Sequence, residues 1–144
     1  MPSERPRVVL VSRCFVRNDS GLLLAIQRAA TDNHNPSLWE CPGGKLDEGQ
    51  DLSHAQEREV MEETGYLVEP THPFVLVDSY VIGTGAYTGL PYVVLFSITR
   101  LVGGKLKLSE EHDDAKWLSY DAWLDLTLTP EVRKAAIRLQ PLLA

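Results

Sequence analysis

The sequence predicts an α/β fold: a mixed β-sheet with helices covering it, an αβα sandwich. Runs rich in β-formers, such as "VVLVSRCFV" and "PYVVLFSITRL", are interleaved with a stretch from Asp51 to Thr64 that holds no glycine or proline, and a second helical pattern lies near the end. At 144 residues the chain can bury about 68% of the surface its unfolded form exposes, so one domain over 1–144 is expected. With 44% hydrophobic and 24% charged residues, disorder and fibrous classes are set aside.

Taken in order, "MPSERPR" precedes an apolar run too short for a leader or a membrane span, which points to the cytoplasm. Val8–Val16 and Leu22–Arg28 flank "NDSG" and read as a hairpin. "AATDNHNPSLW" is polar, contains a proline and reads as a loop, and "WECPGGK" as a short extended segment ending in a turn. Asp51 or Ser53 suits a helix N-cap, and Gly65 sits where a left-handed C-terminal residue belongs. "PFVLVDSYVI" and "PYVVLFSITRL" read as antiparallel strands around "GTGAYTGL", with "VGGK" turning the chain into a further strand "LKLS". "AKWLSY" supplies another strand and "SYDAWLDL" a helical turn. Thr129 then caps a helix that opens with Pro130 and runs through "EVRKAAIRLQPLL".

The net charge of −6 argues against binding a nucleic-acid backbone, which calls for clustered Lys and Arg. An anionic substrate would need a cation between it and this surface. Cys14 and Cys41 lack metal-ligand spacing and read as buried thiols; the four histidines show no zinc pattern.

"REVMEETG" is the local anomaly. At 100° per residue Glu59, Glu62 and Glu63 fall within about 100° of arc, on one side of a helix. Their mutual repulsion and their position at the negative end of the helix dipole cost about 1–2 kcal/mol together. A solvated acidic face would tolerate that cost, but the preceding "CPGGKLDEGQ" changes the reading. A glycine turn, with Lys45 and the positive end of the helix nearby, is suited to phosphate. Oxygens gathered on one helical face beside it form a hard-cation site suited to Mg²⁺, with Mn²⁺ as an alternative, and the matching chemistry is attack of water on a phosphoanhydride.

"GKLDEGQDLSHAQEREVMEETGY", Gly44 to Tyr66, resembles the Nudix box; Gly44, Arg58, Glu59, Val60, Glu62, Glu63 and Gly65 stand at the family's spacing. Two positions depart: Gln50 replaces the first glutamate and Tyr66 the closing aliphatic residue. The resemblance implies a Nudix-type αβα sandwich of the MutT-like kind. It implies that Glu59, Glu62, Glu63 and the carbonyl of Gly43 hold divalent metal, and that Arg58 orients Glu59. The general base would be Glu59 or an acid of "SEEHDD", Glu111 before Glu110. Loss of charge at Gln50 would weaken either a metal contact or a salt link bracing the loop to the helix.

The same resemblance implies cleavage of a nucleoside diphosphate-linked substrate: a nucleoside triphosphate, oxidised ones included, cut to monophosphate and pyrophosphate. Arg28 and Lys45 would contact phosphate. Thr129 stands where such members carry a base-reading Asn, which speaks against strict oxidised-guanine selectivity. ADP-ribose or nucleotide-sugar cleavage, or a catalytically weak nucleotide sensor suggested by Gln50, are the alternatives. Phe74, Tyr80, Tyr87 and Tyr92 are candidates for stacking on a base, or for the core. The expected partner is a small nucleotide, with no nucleic acid and no membrane; a homodimer is left open.

Overall fold

The computed structural model describes residues 5–144, so the first four residues of the segment used to argue against a leader lie outside it. Among the described residues eight strands form one mixed sheet: β1 (Val9–Arg17), β2 (Leu23–Arg28), β3 (Trp39–Glu40), β4 (Gly43–Lys45), β5 (Tyr66–Pro70), β6 (Val75–Val81), β7 (Pro91–Gly104) and β8 (His112–Leu118). The helices are α1 (Leu52–Thr64), α2 (Tyr120–Leu124), α3 (Pro130–Arg138) and α4 (Gln140–Leu143). None of these helices is long and apolar enough to cross a membrane.

At the centre β1 runs parallel to β7, from Val9 opposite Tyr92 to Arg17 opposite Arg100. The other pairings are antiparallel. Successive side chains of β1 enter opposite layers. Phe15 packs with Phe96 and Trp123 in the core beneath α2, α3 and α4, whereas Cys14 and Val16 join Leu24, Ile26 and Val60 beneath α1. Burial on both faces explains why β1 reads as a nearly unbroken apolar run. Trp123 is wholly enclosed, its indole N–H donating to the Leu24 carbonyl at 3.2 Å and its ring meeting Phe15 edge-on at 5.3 Å.

The predicted α1 is present. Asp51 caps it, its carboxylate accepting the His54 amide at 3.1 Å, and Gly65 ends it at φ 79°, where a side chain would run into the Lys105 carbonyl. The predicted hairpin exists but opens at once. Asn18 accepts the amides of Ser20 and Leu22 in the turn, β1 and β2 pair at Arg17 and Leu23, and β2 then joins β8 while β4 takes its place against β1.

Three expectations are corrected. "LKLS" is a loop, because its amides are used elsewhere: Lys107 N–H donates to the Thr64 carbonyl at 2.8 Å and Ser109 N–H to the Glu63 carbonyl at 3.2 Å. These are carbonyls that the end of α1 leaves without helical partners. β7 continues through "VGG" to pair with β5, a strand absent from the sequence reading. The last helix breaks at Leu139, since Pro141 has no amide to continue it. Thr129 does occupy the N-cap of α3, but its hydroxyl makes no capping bond.

Candidate active site

β4 lays Gly43, Gly44 and Lys45 against Arg13, Ser12 and Val11 of β1, which brings the glycine turn under the last two turns of α1. A Cβ at Gly44 would stand 2.9 Å from the carboxyl carbon of Glu59, so a side chain there would displace that carboxylate. The Gly43 amide donates to Glu63 Oε1 at 3.2 Å. Two of the three predicted acids, Glu59 and Glu63, therefore reach the same two residues of backbone. The third is held apart. Glu62 accepts both bonds of a forked contact from Arg58, at 3.0 and 3.2 Å, and its side chain is 56% exposed. Arg58 also stands 3.5 Å from Glu59, but Glu62 is its nearer partner.

Burial drives the electrostatics. It pushes the Glu63 carboxyl well above the usual carboxylate range, a rise only opposed by Arg13 and the Gly43 amide. Glu59 is raised for the same reason, helped by the charges of Glu62 and Glu111 and opposed by Arg58. Two carboxylates short of positive charge, lying beside glycine backbone, form the oxygen donor set that a hard divalent cation takes. The residues fit such an ion.

Beneath them lies a network that sequence reasoning missed. Glu40 is 2% exposed. It accepts from Arg28 Nη1 at 3.1 Å, stands 3.4 Å from Arg13 Nη1, and contacts His112 Nε2 at 2.9 Å. Burial alone would raise the Glu40 carboxyl, but the His112 bond and the two guanidiniums outweigh it and hold it below its ordinary value. Glu40, Glu63 and His112 bring ligand atoms within 4.8 Å of one another, a spacing a metal could use. The signal for Glu40 and Arg13 was a lone charge inside an apolar strand; His112 had none beyond its place in an acidic loop.

The predicted phosphate ligands are differently placed. Arg28 spends its donors on Glu40, Asp32 and the His34 carbonyl. Lys45 lies over the Tyr87 ring, 4.7 Å from its centroid, at an open groove of about 840 Å³ shared with Gln50 and Leu90. Glu111 is exposed, yet near enough for its charge to act on Glu59; nothing comparable marks Glu110. Gln50 accepts the Asp47 amide at 2.9 Å, closing the loop before α1, and Arg58 Nε is shielded and without a partner among the described residues. Tyr66 packs on Trp117 and accepts its indole N–H at 3.3 Å.

Among the aromatic candidates, Tyr80 is half exposed and stacks at 4.8 Å on Tyr92, whose hydroxyl donates to Glu131 at 3.2 Å. Phe74 is half-buried. Both cysteines are buried thiols as expected, and burial pushes Cys14 up to about 12, which leaves it no nucleophile.

The NUDIX domain matches residues 7–139. A MutT-like protein of Streptomyces ambofaciens is 38% identical over 115 residues, covering 78% of this chain and 64% of that one. An 8-oxo-(d)GTP phosphatase of Mycolicibacterium smegmatis is 32% identical over 107 residues, covering 73% and 31%. The chain thus spans less than two thirds of the length of these curated relatives. Among solved structures, a MutT protein from Methanosarcina mazei Go1 superposes with a TM-score of 0.74 at 25% identity, over 96% of this chain and 97% of that one. A MutT NUDIX hydrolase from Burkholderia pseudomallei does so at 0.68 and 26%, over 94% and 99%. Sheet, box helix and domain match agree, and the chain belongs to the NUDIX domain family.

Proposed function

We propose that the protein is a divalent-metal-dependent hydrolase of nucleotide phosphoanhydrides, with a nucleoside triphosphate or an oxidised form of one as substrate and monophosphate and pyrophosphate as products. The observation that carries this reading is the approach of Glu59 and Glu63 to the Gly43–Gly44 backbone. The name of the relative from Mycolicibacterium smegmatis, an 8-oxo-(d)GTP phosphatase, supports the substrate class.

Glu59 and Glu63, with the Gly43 carbonyl, would hold Mg²⁺ or Mn²⁺, and Glu62 would join them on turning from Arg58. Such an ion offsets phosphate charge and draws electron density from the anhydride. Water adds its oxygen to one phosphorus, the bridging P–O bond breaks, and pyrophosphate leaves. Glu111 takes the proton of the attacking water. Lys45, at the mouth of the groove, meets the phosphate charge, and the open face of Tyr80 receives the base.

A panel of nucleoside triphosphates, their 8-oxo forms, ADP-ribose and nucleotide sugars, incubated with Mg²⁺ and assayed for released pyrophosphate or phosphate, tests the reading. Pyrophosphate from the triphosphates is the expected result. Cleavage of ADP-ribose or nucleotide sugars alone would move the substrate class. Saturable binding with no hydrolysis anywhere would replace the enzyme with a sensor.

A further inference from the structure

The Glu40 network does not suit a cation, although its spacing would admit one. Two guanidiniums already stand within 3.4 Å of the Glu40 carboxylate and would repel an incoming ion. The network does something else. Glu40 lies three residues before Gly43 on the strand that leads into the glycine turn. Its partner His112 opens β8 immediately after Glu111, and is itself 6% exposed. Its Nε2, besides the 2.9 Å contact with Glu40, lies 3.8 Å from Glu63 Oε2. Its Nδ1 has no partner among the described residues, so the ring is held from the Glu40 side.

Resting on the hydrolase reading above, we propose that Glu40 and His112 are a positioning pair that fixes the Glu111 loop over the acidic face of α1. Backbone bonds tie the loop at single points: Ala29 N–H donates to the Glu111 carbonyl at 2.9 Å, and Ser109 joins the end of α1. They leave the side chains free to turn. Holding the His112 ring against Glu40 fixes the backbone at the residue before it, and with it the place of Glu111, whose charge already reaches Glu59. Glu40 links three parts of the site at once: the glycine turn by chain continuity, Arg28 by an ion pair, and the Glu111 loop through His112. A carboxylate this deeply buried is costly to maintain unless it is fully paired. Here the pairing is spent on elements that carry the chemistry.

His112→Leu tests the proposal, with His112→Gln as the conservative variant, since a glutamine amide can still donate to Glu40. With the best triphosphate of the panel and Mg²⁺, His112→Leu is expected to lower kcat by about 10–100-fold with little change in KM, and His112→Gln to restore most of it. Coupling to Glu111 separates positioning from general damage. In a Glu111→Gln background, His112→Leu should cost less than about twofold more. A second readout needs no activity: amide hydrogen exchange in 107–112 should quicken in His112→Leu while that of β7 stays unchanged. Losses that multiply in the double variant, an unchanged kcat in His112→Leu, or unchanged exchange in the loop would each overturn the pair. If the wild-type chain cleaves nothing, the hydrolase reading fails, and the exchange measurement alone decides whether His112 holds the loop.

Discussion

The Gly43 amide and the Glu63 carboxylate meet at 3.2 Å, joining the turn before the helix to the last turn of the helix itself. The bond satisfies a buried carboxylate with a neutral donor, and Arg13 offsets the cost of burying its charge only in part. Burial thus holds a carboxyl at the centre of the site above its ordinary range.

Glu63→Gln keeps the shape of that group and removes its ability to ionise. In chelator the variant should unfold at the same temperature as wild type or higher, while Mg²⁺-dependent turnover falls by about 100-fold or more. Thermal unfolding and pyrophosphate release measure the two effects. Equal turnover would reject the site.

The same group sets a pH dependence. From its ordinary value of 4.5 up to its raised value, the folded chain retains a proton that the unfolded chain has released. Stability in chelator should therefore fall as pH rises through that window. Glu40, held low, acts oppositely: its contribution is present above 4.5 and is lost as pH falls through its depressed value. Melting temperatures across pH, with EDTA and with Mn²⁺, should show the decline at the upper end disappear when metal is present and in Glu63→Gln.

Gly44→Ala places a methyl group against the Glu59 carboxyl. Mn²⁺ affinity, read by titration calorimetry, should drop by about 10–100-fold. Gly103→Ala is the control, since the nearest atom to its Cβ is a Leu67 methyl at 3.5 Å, ordinary contact.

Gln50→Glu should raise Mg²⁺ affinity and turnover. A carboxylate at this position can still accept the Asp47 amide, and it adds negative charge to a loop whose Asp47 already acts on Arg58, a guanidinium with one unpartnered nitrogen. Lower activity than wild type would show that the amide is favoured here.

What was legible in the sequence followed local rules. The box helix, a cap at Asp51 or Ser53 and the Gly65 stop are set by residues within a few positions of one another, and the structure shows the helix, with Asp51 as the cap and Gly65 as the stop. Non-local facts were not legible. That Glu59 and Glu63 turn to the glycines depends on β4 lying against β1. Glu40 and His112 are 72 residues apart and meet only because β2 pairs with both β3 and β8. "LKLS" has the composition of a strand, yet the open carbonyls of α1 compete for its amides and win.

The seam between residues 105–111 and the end of α1 also decides where this chain can change length. A loop whose amides at 107 and 109 must meet fixed carbonyls at 64 and 63 is locked in register, and an inserted residue would shift Glu111 with it. The tip between β6 and β7 closes on itself through Ile82, Gly85, Gly89 and Leu90, and can lengthen without disturbing the helix. In this chain added length fits at the tip that carries Tyr87 and Leu90 to the groove, and not in the seam.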